Sequence, residues 1–320
     1  MNVGSRLIVY LLRLVQRLPL GMQAALGRLM GAMLHALAGS RRRIALRNVE
    51  LCFPHLAVER RRALVREHFG WLGRSLLERG LLWYAPTERL KRLIRVEGDV
   101  GFAERSDKPV MWLVPHFVAL DVAAAALQLF QSRRGATIYQ KQTDPVFDAA
   151  FRRGRERFGQ AETFARKEGA KPLIRAIRQR GLGFFNLPDM DFGRKDAAFV
   201  PFFGVPAATL LAPSRMARLL GMAVQPVIAE MLPGGRGYRV RFHAPLAGFP
   251  TDDAEADTAW LNRWIEDRIR ENPAQYLWVH KRFKTRPPGE AKLYPPQRRR
   301  RRAARGASAA RGPAPSRGQR

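Results

Sequence analysis

Apolar residues along this chain follow two patterns. Between 58 and 84, Leu64, Val65, Phe69, Leu72, Leu76, Leu77 and Leu81 recur at three- and four-residue spacing, the period of one helical face. Farther on, short runs rich in apolar, β-branched and aromatic residues alternate with longer helical stretches. The runs 93–96, 110–114, 136–140, 161–164, 182–187, 224–228 and 238–242 read as strands. The stretches 119–130, 145–158, 170–180, 212–220 and 254–271 read as helices. Pro145 suits the first turn of its helix, and Asp252 and Asp253 suit the start of the last one. Strands alternating with helices of this length predict βαβ units, hence an α/β fold with a mostly parallel central sheet flanked by helices. The segment 199–209 is apolar but broken by Pro201 and Pro206. It is too irregular for a helix and reads as a buried loop or the wall of an apolar channel.

The N-terminal pattern is different. Residues 5–39 are apolar yet interrupted by Arg13, Arg17 and Arg28. A spanning helix wants about 20 apolar residues with few charges, and 7–20 falls short. No small-residue cleavage site follows, so a removable signal peptide is not expected. Arginines among leucines suit a helix lying in a membrane interface, with the guanidinium groups reaching up to phosphates. Three regions are therefore expected: a membrane-associated helical segment (1–45), the α/β domain (46–296) and a disordered arginine-rich tail (297–320).

Charge adds a partner class. The 320 residues carry a formal +30, with nine arginines and no acid in 297–320 and eight arginines and no acid in 1–47. An anionic partner is implied: an anionic membrane surface, a phosphorylated substrate or a nucleic acid. The single cysteine, Cys52, excludes an internal disulfide and any multi-cysteine metal site. Glycine-rich phosphate loops, nucleophile-elbow serines and zinc spacings are absent, so neither a metal nor a bound cofactor is expected.

Candidate chemistry centres on His116. It falls between the strand 110–114 and the helix 119–130, where open α/β sheets bind ligands. Asp121 is five residues on. Within one ideal helix the two would point about 140° apart. With His116 in the loop and Asp121 in the first turn, the carboxylate can reach an imidazole nitrogen and orient a base. Asp189 and Asp191 lie in a loop at the end of a later strand. Arg152, Arg153, Arg155 and Arg157 crowd one helix, and 276–287 is dense in aromatic and basic residues.

These stretches, in this order, resemble a known family. His116-Phe-Val-Ala-Leu-Asp121 looks like the HX4D/E signature of glycerolipid acyltransferases. Arg47-Asn-Val-Glu-Leu-Cys-Phe-Pro54, the run from Tyr139 through Asp144-Pro145 to Gly154-Arg155, Leu187-Pro-Asp189-Met-Asp191-Phe-Gly193 with 199–209, and 276–287 narrow the likeness. It narrows to the lipid A biosynthesis (lauroyl/myristoyl) acyltransferases, over roughly residues 5–290. The resemblance implies a glycerolipid acyltransferase-like fold and a catalytic pair of His116 and Asp121. Arg155 and Asp189 would be the family's motif arginine and aspartate, here in substrate binding. These enzymes usually carry Glu where this chain has Asp121.

The implied reaction transfers a fatty acyl chain from a thioester to a hydroxyl of a membrane glycolipid, a lipid A precursor. The acyl carrier protein or coenzyme A thioester is a co-substrate, with acyl carrier protein favoured by the resemblance. His116 would act as general base, and backbone N–H groups at the start of the 119–130 helix would supply oxyanion donors. The expected location is the bacterial inner membrane, with the site facing the cytoplasm. An acyltransferase of the same mechanism acting on ornithine lipid or another glycolipid is the alternative. A basic nucleic-acid-binding protein is the reading from another class, with salt-dependent binding as its mark; no specific nucleic-acid partner is expected.

Overall fold

The computed structural model of the chain describes residues 3–295. The expected tail, 297–320, lies outside the described residues. Strands Ile94–Gly98 (β1), Val110–Leu113 (β2), Gly135–Tyr139 (β3), Ala161–Ala165 (β4) and Gly183–Asn186 (β5) are followed by Ala197–Phe202 (β6) and Val205–Leu210 (β7). Ala223–Met231 (β8) and Tyr238–Phe242 (β9) complete them. Seven form one sheet in the order β1-β9-β8-β2-β5-β3-β4. Its pairings are parallel except for β8 with β9. The expected α/β class with a mostly parallel sheet is what the chain adopts.

The all-apolar sequence of β2 follows from its central place, because a strand covered on both faces has no use for alternation. Val110 and Trp112 face one side, against the helix Leu120–Leu129. Met111 and Leu113 face the other, against the helices Lys171–Arg180 and Ala212–Leu220. The alanines of Leu120–Leu129 let it lie close on the sheet: Ala123 and Ala126 are fully buried.

Two sequence expectations give way. The helical pattern 58–84 divides at Glu78 into Val58–Leu77 and Arg79–Tyr84, where Glu78 turns inward to Arg74 (2.7 Å) and the Tyr238 hydroxyl (2.7 Å). The segment 199–209 is not a loop. It belongs to an antiparallel hairpin, β6 with β7, turning at Phe203-Gly204, both with positive φ. Phe202 and Val205 flank this two-residue turn, so the next pair, Pro201 opposite Pro206, falls where antiparallel strands exchange no hydrogen bonds. Neither missing N–H is needed.

Helices Val3–Val15 and Leu20–Leu37 pack on the catalytic body. A Cβ on Gly31 would come 2.1 Å from the Phe69 carbonyl oxygen, and one on Gly73 2.2 Å from that of Gly27. Only glycine permits this helix crossing. The first helix presses on Gly80 through the Leu12 backbone, and its Ser5 hydroxyl donates to Asp144 (2.6 Å). No described helix is long and apolar enough to cross a membrane.

Candidate active site

The sheet places His116. β2 and β5 are neighbours in parallel register, Leu113 beside Asn186, and the Val114 N–H continues the ladder to the Asn186 carbonyl (2.9 Å). Each strand then runs through a proline, Pro115 or Pro188, to a residue three past the paired positions. Those residues are His116 and Asp189. The Asp189 carboxylate accepts the His116 backbone N–H (2.9 Å) and bonds the imidazole Nδ1 (2.6 Å). The Tyr276 hydroxyl is a third partner of that carboxylate.

Burial pushes the Asp189 carboxyl up, but the His116 charge, its two hydrogen bonds and the Tyr276 hydroxyl outweigh it and hold the group at about 2. Asp189 is therefore an ionised, acceptor-only group at neutral pH. Such a partner requires a proton on Nδ1, which leaves Nε2 as the lone-pair nitrogen of the neutral ring. Among the described residues Nε2 makes no hydrogen bond, and the His116 side chain keeps 11% of its surface exposed.

Asp121 is placed differently from the expectation. No hydrogen bond joins it to His116 among the described residues; its carboxylate is clamped between two arginines. Arg155 donates from Nε (3.1 Å) and Nη2 (2.9 Å) to one oxygen, and Arg79 from Nη2 (3.0 Å) to the other. Burial raises the Asp121 carboxyl, yet the two guanidinium charges and their bonds bring it to about 2. The reason is one of reach. Helix Leu120–Leu129 carries Asp121 toward Arg79–Tyr84 and Pro145–Glu156, while Asp189 already occupies the imidazole Nδ1. Gly154 fixes this arrangement, because a Cβ there would sit 2.2 Å from the Trp83 ring and push Arg155 away. Two cations against one anion leave this three-residue cluster with one positive charge in excess.

The expected oxyanion donors are largely engaged. The N–H groups of Val118, Leu120 and Val122 already bond the carbonyls of Gln275, Phe117 and Ala119. Beside Asp121 and Arg155 opens a narrow, mainly apolar slot of about 50 Å³, running under helix Leu120–Leu129 past Phe185 and Thr137. No residue of 199–209 lines it.

The remaining motif stretches meet on one strap. Residues 275–285 run alongside His116: the Leu277 N–H donates to the His116 carbonyl (2.9 Å), and Phe117 pairs with Tyr276. Asn48 holds the strap at the carbonyls of Trp278 (2.7 Å) and His280 (2.6 Å). Asp191 holds it at Thr285, through the backbone N–H (2.6 Å) and hydroxyl (2.8 Å). Arg282 ties it to the hairpin at Ala208 (3.0 Å) and Thr209 (2.6 Å). Motifs dispersed over more than two hundred residues are thus one structure around His116. The sequence pattern does not mark Arg79, and it marks Tyr276 only as the first residue of the aromatic-basic stretch 276–287.

Comparison with known proteins bears on this geometry. A family model described as bacterial lipid A biosynthesis acyltransferase matches residues 3–285. The chain belongs to the bacterial lipid A biosynthesis acyltransferases. It is 34% identical to a lipid A biosynthesis palmitoleoyltransferase of Escherichia coli (strain K12), over 87% of this chain and 90% of the relative. It is 32% identical to a lauroyltransferase of the same organism, over 88% of this chain and 91% of the relative. A myristoyltransferase, again from E. coli, matches at 32% over 85% and 82%. The protein is therefore an acyltransferase of lipid A biosynthesis, and its relatives are named for different acyl chains.

Proposed function

We propose that the protein moves a fatty acyl group from an acyl thioester, carried on acyl carrier protein, to a hydroxyl of a lipid A precursor, with His116 as general base. The observation that carries this reading is the 2.6 Å bond between His116 Nδ1 and the ionised Asp189. It leaves Nε2 ready to take a proton. An alcohol is a weak nucleophile, so its proton must leave as it attacks. The hydroxyl proton passes to Nε2, the oxygen bonds to the thioester carbonyl carbon, and the C–S bond breaks. The departing thiolate then takes the proton back from Nε2. Asp189 stabilises the imidazolium between these steps, as an acid does behind the histidine of a serine triad. No enzyme nucleophile is needed.

Asp121 acts through Arg155 and Arg79, orienting them toward negative charge on the substrates or on the developing oxyanion. The apolar slot beside them suits an acyl chain. Exposed Leu7, Leu11 and Leu14 share one helical face, as do Met22, Leu26, Leu29 and Met33 on the next helix. Such an apolar surface edged by arginines suits the headgroup boundary of a membrane, here the cytoplasmic face of the bacterial inner membrane.

The test is His116→Ala assayed for acyl transfer in isolated membranes, beside mass spectrometry of lipid A from cells lacking the gene. Loss of transfer and of one secondary acyl chain is expected. Near-normal turnover of a folded variant, or an unaltered lipid A, would refute the reading. Acyl carrier protein and coenzyme A thioesters compared as donors test the carrier.

A further inference from the structure

The slot beside Asp121 and Arg155 has two ends. Its mouth, at Leu120, Asp121, Arg155 and Leu187, lies at the carboxyl edge of the sheet, where His116 sits. Its inner end is at the amino edge, because Gly135 and Ala161 are the first residues of β3 and β4. Gln131 and Gln160 line that same end. From Asp121 to Leu129 the helix advances about 12 Å at 1.5 Å per residue, so the slot is long and narrow, the shape of a single extended chain.

Trp112 lies on the wall at this inner end, and its seat is unusual. Register places Gly135 of β3 beside Gly183 of β5, with β2 next in the sheet. A Cβ on Gly183 would approach the six-membered ring of the indole to 2.4 Å, and one on Gly135 to 3.1 Å. Glycine inside a strand weakens it and often marks a close approach. Here two adjacent glycines make a shelf on which the ring lies across its neighbours. The ring is not tethered, for its buried Nε1 has no hydrogen-bond partner. The shelf sets how closely the indole can lie on the sheet, and so how far it projects toward the slot.

We propose that Trp112 is the specificity-determining residue for acyl-chain length, its indole stopping the terminal methyl of the chain at the inner end of this slot. The inference rests on the reading that an acyl thioester is the donor. A chain too long for the slot must leave methylenes unburied or displace the ring; a chain too short leaves a void. One methylene at such a stop changes selectivity by about ten-fold or more.

The experiment measures kcat/KM of the full-length protein with acyl carrier protein thioesters of graded chain length. Trp112→Phe removes part of the stop together with an unpaired buried donor, so the fold tolerates it. The ratio for the longer over the shorter chain should rise by about ten-fold in Trp112→Phe, and further in Trp112→Ala. Gly135→Ala leaves Trp112 in place but nudges the ring into the slot, and should shift the ratio toward shorter chains. A ring that serves packing alone would lower activity with every donor in proportion and leave the ratios unchanged. Unchanged ratios overturn the proposal, as does loss of activity with all donors in all three variants while they remain folded. If the unmodified protein uses no acyl thioester, the functional reading itself fails, which is a different result.

Discussion

His116 and Asp189 stand 73 residues apart in sequence and 2.6 Å apart in space, each three residues beyond a matched position on adjacent parallel strands. The carboxylate holds both the backbone N–H and the ring of the histidine. In Asp189→Asn the amide nitrogen can donate to Nδ1 and fix the wrong tautomer. By comparison with the loss seen in a serine protease triad, kcat should fall by about 10⁴-fold while the fold persists. Turnover within a few-fold of the unmodified protein, with an intact fold, would remove Asp189 from the proton-transfer pair.

Asp121 should behave as a partner of arginine. The single variants Asp121→Asn and Arg155→Ala both disrupt one cluster, so their effects on kcat/KM should not add. A double-mutant cycle should show a coupling of about 1–3 kcal/mol. Additive effects would mean that the two side chains act separately.

The glycine-lined crossing between Leu20–Leu37 and Val58–Leu77 should tolerate no side chain. Gly31→Ala places a methyl group 2.1 Å from a carbonyl oxygen that belongs to backbone, not to a side chain able to turn away. The helices must separate, and a loss of about 1–3 kcal/mol is expected in denaturant titrations of the detergent-solubilised protein.

His68 gives a pH dependence. It is fully buried beside the Ala274 carbonyl (3.1 Å), and burial lowers its pKa to about 4. The unfolded chain therefore binds a proton below pH about 6.5 that the folded chain refuses until about 4, so stability falls as pH drops through that window. The contribution approaches about 1.4 kcal/mol for each pH unit within it. In His68→Gln the slope between pH 6 and 4 should be shallower by that amount. An unchanged slope would mean that the ring is protonated in the fold.

The strands, the long helices and the sheet class were legible because apolar periodicity is local. Ala212–Leu220, Tyr238–Phe242 and Ala254–Glu271 end where the pattern predicts. The hairpin was not, because Pro201 and Pro206 read as breakers until their pairing shows that neither N–H is wanted. The place of His116 at a strand end was legible. Its partner was not: proximity in sequence favours Asp121, whereas the adjacency of β2 and β5 is decided only when the sheet assembles. The shared form of Leu113-Val-Pro-His116 and Asn186-Leu-Pro-Asp189 was the available clue.

The same sheet register divides the labour of the molecule. His116 and Asp189 hang from two neighbouring strands, so their separation is inherited from the backbone ladder. The arginines beside them ride on helices that also touch the first N-terminal helix. A shift of that helical cover would therefore move the arginines while leaving the spacing of His116 and Asp189 unchanged.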